Sequence, residues 1–88
     1  MIRILIVDDE KAICDLIDLN LSSAGYHCVS VQDGLEAINR IEQENFDLIL
    51  LDIMLPGADG YDVMDYIRPF GVPVIFITAK HEVKDKVK

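Results

Sequence analysis

Three apolar runs in this chain end on residues that can do chemistry: "IRILIV" gives way to Asp8 and Asp9, "LILL" to Asp52, and "VIFI" to Thr78. Each run is short and bounded by turn residues, so each reads as a buried strand whose last residue emerges at the end of a sheet. In an open parallel sheet, ligands bind beyond the carboxyl ends of the strands, where strand order reverses. If the first and third strands are neighbours, three carboxylates and a hydroxyl meet in one pocket. Carboxylates held that close repel one another, and a hard divalent cation removes the repulsion. Mg²⁺ suits such a site because it takes oxygen ligands octahedrally and keeps several waters. A plainer reading of "DDEKA" also stands, in which the acids after the first strand only cap the next helix. Thr78 and Asp52 at matching strand ends weigh against that reading as the whole explanation.

The elements that must position these residues are visible as an alternation. Strands are expected at about 2–7, 27–31, 47–52 and 73–77, with helices between them at about 10–23, 34–44 and 60–68. Strands alternating with helices predict a doubly wound α/β fold with a parallel sheet covered on both faces. In the first helix Ile13, Leu16, Ile17 and Leu21 fall at three- and four-residue spacing, and Gly25 stops it. The second starts where Asp33 can cap and Glu36 can reach back, and should bury Leu35, Ile38 and Ile41. The third should turn Val63, Met64 and Ile67 inward before "RPFGVP" ends it. The half-polar second strand reads as an edge, whereas "VIFI" expects a neighbour on each side. Val83 and Val87, four apart, suggest the start of a fourth helix at about 81–88, so the sequence reads as an incomplete domain whose fourth strand is uncovered and open to self-association.

Composition narrows the function classes. Sixteen acidic against eight basic residues in 88 give a net charge of -8, which disfavours nucleic acid and polyanionic surfaces. The longest apolar runs are far below the ~20 residues needed to span a bilayer, and the start turns acidic too early for a signal peptide. A cytoplasmic location without a membrane role is the expectation. Cys14 and Cys28 lack metal-like spacing and read as small buried or half-buried thiols, and His27 and His81 read as surface residues.

Together, "ILIVDDE" (4–10), "DLILLDIMLPGADGYDVM" (47–64) and "PVIFITAK" (73–80) resemble, in register over all 88 residues, the receiver domain of two-component response regulators. The resemblance implies a flavodoxin-like sheet of strand order 2-1-3-4, with the family's fifth strand and last helix missing here. It implies that Asp52 accepts a phosphoryl group from a sensor histidine kinase. Mg²⁺ (or Mn²⁺) would be held by Asp9, Asp52, the backbone carbonyl of Met54 and, through water, Asp8. Thr78 would be the switch hydroxyl, with Pro56, Gly57 and Lys80 at the pocket rim. The family's phosphate-pairing lysine and aromatic switch lie on the strand that this sequence does not contain. What the resemblance predicts is a phosphorylation-dependent signalling switch rather than an enzyme, acting through an output domain in transcription regulation, with a winged-helix DNA-binding domain as the analogy.

Two rival classes share the architecture. A flavodoxin-like FMN module needs donors where this chain has Asp8, Asp9 and Glu10, which would repel a phosphate dianion. A phosphatase of the haloacid dehalogenase type also uses a strand-end aspartate nucleophile but wants a second aspartate where this chain has Met54, so a general acid is missing.

Overall fold

The structure is a computed structural model that describes residues 1–53, Leu55 and residues 60–77. The chain alternates β1 (Arg3–Val7), α1 (Lys11–Ser23), β2 (His27–Val31), α2 (Gly34–Gln43), β3 (Leu48–Asp52), α3 (Gly60–Ile67) and β4 (Val74–Ile77), with a short 3₁₀ turn, Arg68–Phe70, before β4. The four strands form one parallel sheet in the order β2-β1-β3-β4, as the doubly wound reading requires. The fourth helix expected at 81–88, and with it Met54, Pro56, Gly57, Thr78 and Lys80, lies outside the described residues.

Side-chain alternation along the strands divides the core into two layers. Leu5 and Val7 of β1 with Ile49 and Leu51 of β3 face α2 and α3, where they meet Ala37, Ile41, Val63 and Ile67. Ile4 and Ile6 face the other way and pack on Cys14, with Ile17, Leu21, Leu48 and Leu50 partly buried around them. At the opposite end from the strand-end acids, Arg3 and Asp47 tie β1 to β3. The Arg3 N–H donates to the Asp47 carboxylate at 2.8 Å, and the Asp47 N–H donates to the Arg3 carbonyl at 2.8 Å. The Arg3 guanidinium also pairs with Glu44 and lies 5.4 Å from the centre of the Phe46 ring.

Two helical faces differ from their expected phase. Leu16 is 57% exposed and Leu35 is 66% exposed. The buried contacts in their place are Cys14 in α1 and Gly34 and Ala37 in α2. The reason is close approach: a helix seats on a sheet through its small residues, and the large side chains at the margins of the stripe stay partly in water. Elsewhere the helices follow expectation. Asp33 caps α2 by accepting the Glu36 N–H at 2.7 Å, and Val63 and Ile67 of α3 are fully buried.

Helix α1 closes through Gly25, whose φ of +100° lets its N–H reach the Ser22 carbonyl while the Tyr26 N–H reaches that of Leu21. A Cβ at this glycine would meet nothing within 4 Å, so only backbone strain opposes one. Gly25→Ala should therefore lower stability by about 1 kcal/mol, read as a lower urea midpoint at unchanged slope; an unchanged midpoint would show that this turn relaxes freely.

On the α1 side, a cavity of about 520 Å³ lined by Leu21, Tyr26, Leu48, Leu50 and Ile75 lies over β3 and β4. Among the described residues β4 is a terminal strand of the sheet, and Ile75 is 53% exposed.

Candidate functional site

The position of the acids follows from register. Val7 of β1 pairs with Leu51 of β3, so Asp8 and Asp52, the next residue on each strand, leave the sheet side by side. Alternation then sets their direction. Asp8 shares parity with Ile4 and Ile6, and Asp52 with Leu48 and Leu50, so both carboxylates belong to the α1 side of the sheet. Asp9 joins them from the turn into α1. One carboxylate oxygen from each of Asp8, Asp9 and Asp52 lies within 4.8 Å of the others. Asp8 and Asp52 are each only 5% exposed, whereas Asp9 is open to solvent.

The surroundings hold Asp8 firmly. Its N–H donates to the Val31 carbonyl at 3.2 Å, which extends the β1–β2 ladder by one residue. Its carboxylate accepts the Glu10 N–H at 2.9 Å, and the Cys14 thiol donates to its carbonyl at 3.4 Å. The capping reading of "DDEKA" does not hold: the N-cap of α1 is Glu10, whose side chain makes no cap hydrogen bond, and Asp8 turns the chain ahead of the helix while its other role is in the acid cluster. Sequence reasoning missed the part that Cys14 plays, because thiol type and spacing say nothing about a backbone carbonyl far away in space. Burial pushes the Cys14 thiol above its ordinary value, so it is a protonated donor at neutral pH.

The far wall begins at β4. Asp52 pairs with Ile77, and the Ile53 N–H approaches the Ile77 carbonyl at 3.4 Å. Chemically, two buried carboxylates and one exposed carboxylate form a hard, anionic oxygen set. That set fits a divalent cation which keeps part of its water shell, and it does not fit a bare phosphate. Among the described residues the cluster consists of carboxylates alone, a set that suits hard cations rather than thiolate-seeking metals.

Comparison with known proteins agrees with this geometry. Residues 4–88 match the family described as the response regulator receiver domain. The crystal structure of the response regulator TrrA from Thermotoga maritima, in complex with Mg²⁺ and BeF, superposes with a TM-score of 0.86 at 36% identity, over 97% of this chain and 76% of that one. A chain from the crystal structure of the histidine kinase ThkA in complex with TrrA matches at 38% identity and a TM-score of 0.84, over 90% of this chain and 70% of that one. The receiver domain of a Pseudomonas aeruginosa sensor histidine kinase, with a magnesium ion coordinated in its active-site cleft, matches at 36% identity and a TM-score of 0.83, over 89% of this chain and 67% of that one. With the family matched across nearly the whole length and the strand order of the sheet in agreement, this chain belongs to the response regulator receiver domains of two-component signalling.

Proposed function

We propose that Asp52 is the phosphoryl acceptor of a Mg²⁺-dependent switch, charged by a sensor histidine kinase and read by an output domain. The observation that carries this reading is the cluster of three carboxylates within 4.8 Å at the carboxyl ends of two adjacent parallel strands. Asp9 and Asp52 would hold the metal directly and Asp8 through water, and the Met54 carbonyl would complete the protein's share. Mg²⁺ (or Mn²⁺), when bound, neutralises these acids and lets an anionic donor approach. The rest is the work of the chain. β3 fixes Asp52 rigidly, and one of its carboxylate oxygens attacks the phosphorus of a phosphohistidine. A P–O bond forms as the P–N bond breaks, and the electron pair of the broken bond stays on the imidazole. The product, an acyl phosphate, presents new acceptor oxygens to the Thr78 hydroxyl, with Lys80, Pro56 and Gly57 at the rim, and biases the domain toward its active shape.

Related structures support the metal and the kinase in their own proteins: a magnesium ion in the active-site cleft of one, Mg²⁺ and BeF in complex with another, and a regulator complexed with a kinase in a third. The acid-lined pocket gives no support to an FMN phosphate cradle. The proposal places the output in transcription regulation and the protein in the cytoplasm, and among the described residues no helix is long and apolar enough to cross a membrane. Association through β4 is part of the proposal, supported by the exposed Ile75 and by the place of β4 at the end of the sheet among the described residues. Light scattering at high concentration should show a dimer fraction, and a clean monomer would remove that element.

The test of function is a titration of the protein with Mg²⁺ and then with beryllium fluoride, an acyl-phosphate mimic, followed by amide NMR shifts and melting temperature. Both should bind, and shifts should centre on residues 8–10 and 52–53. No binding of Mg²⁺ at millimolar concentration would overturn the reading.

A further inference from the structure

The buried polar contacts that the phosphoryl reading leaves unused converge on one side chain. Cys14, in the first turns of α1, is fully buried. Its sulfur lies 3.4 Å from the Asp8 carbonyl and 3.8 Å from the Val31 carbonyl, and it accepts the Gln32 side-chain amide at 3.6 Å. A single thiol hydrogen cannot serve both carbonyls, and Asp8 is the nearer. The result is a relay across three elements: Gln32 just past β2, Cys14 on α1, and Asp8 just past β1. It ends on the backbone of the residue that carries one acid of the cluster and precedes another.

We infer that Cys14 is a positioning residue of the metal site, holding the Asp8 main chain through its S–H so that the Asp8 and Asp9 carboxylates converge with Asp52. The inference rests on the metal-dependent reading proposed above. Without the thiol, the Asp8 carbonyl loses a buried donor, and the turn through Asp8 and Asp9 is held less tightly, by ties that include the Asp8 N–H to Val31 and the Glu10 N–H to the Asp8 carboxylate. Partners behind metal ligands matter because they fix ligand orientation, and their loss typically weakens metal binding about 10- to 100-fold. A thiol is a weak donor, so the lower end of that range applies. Serine in the same place keeps a stronger donor of shorter reach, which meets the Asp8 carbonyl only if helix and turn close slightly on each other, whereas alanine keeps none.

The experiment compares the full-length protein with its Cys14→Ser, Cys14→Ala and Val63→Ala variants, using Mg²⁺ alone in calorimetry. The metal-free carbonyl ¹³C shift of Asp8 is recorded in parallel. Val63, fully buried on α3, reports the effect of core loss away from the relay. Cys14→Ala should weaken Mg²⁺ binding about tenfold and move the Asp8 carbonyl shift. Cys14→Ser should recover part of both changes, leaving affinity between those of the Cys and Ala proteins, and Val63→Ala should lower stability while leaving affinity unchanged. Unchanged affinity in Cys14→Ala, or equal weakening in Ser and Ala, would overturn the positioning role, the latter by showing that only packing is at stake. If Cys14→Ala does not fold, the Ser variant together with Gln32→Leu decides, since loss of the relay's outer donor should weaken binding in the same direction and an unchanged affinity would count against it. Failure of the unaltered protein to bind Mg²⁺ overturns the functional reading itself and the inference with it.

Discussion

Asp52→Asn should make the metal-free domain more stable while removing its response to beryllium fluoride. Three carboxylates with oxygens within 4.8 Å repel, and one pair at that distance is worth about 3 kcal/mol at an effective dielectric of ~20. Solvent at Asp9 and local hydrogen bonds reduce this, so a net gain of about 1 kcal/mol is expected, a rise in melting temperature of roughly 4–8 °C for a domain of this size. The same change removes the only nucleophile proposed for phosphoryl transfer, and labelling by a kinase or small phosphodonor should fall to background. Mg²⁺ binding should weaken as well, because a neutral amide replaces an anionic ligand. A lower metal-free melting temperature, or persistent acid-stable labelling, would show that the three acids are not the strained cluster described here.

Leu5→Ala carries the largest expected cost to the fold. Leu5 is fully buried in the middle of β1, paired in register with Val29 on one side and Ile49 on the other. Truncation of such a residue removes transfer energy and leaves a cavity, about 2–5 kcal/mol together. A chain of 88 residues has roughly 4–13 kcal/mol in all, so the variant should be partly or wholly unfolded at 37 °C. Urea denaturation at 15 °C measures the difference, and a loss below about 1 kcal/mol would place Leu5 outside the centre of the core.

Much of this architecture can be read from residue order alone, for physical reasons that also explain where reading stops. The strands announce themselves because a strand buried on both faces must be apolar throughout, and the acids stand out because a charge is costly inside such a strand and so marks where it leaves the core. β2 declares itself an edge through His27 and Ser30, and the sheet order agrees. The helix faces are harder. A turn of about 100° per residue leaves several rival stripes when apolar residues are plentiful, and size is a poor guide to the choice among them. Leu16 and Leu35 are the larger residues, yet Cys14, Gly34 and Ala37 take the inward positions because they let the helices approach. The Asp8 carbonyl as an acceptor for Cys14 had no sequence signal at all, since it depends on how α1 lies across the end of β1.

The central place of β1, between β2 and β3, has a kinetic consequence. Asp8 and Asp9 meet Asp52 only after the chain has run through α1, β2 and α2 and closed a long loop to pair β3 with β1. That closure is the slow, non-local step of a parallel topology. A half-formed β1-α1-β2 unit already holds Asp8 against Val31, but it has no cation pocket to offer. A cation held by these acids would therefore reward only a chain in which β3 has already joined β1, and no earlier precursor. Under the proposed reading, a nascent or locally opened chain would offer no acceptor site until β3 has paired with β1.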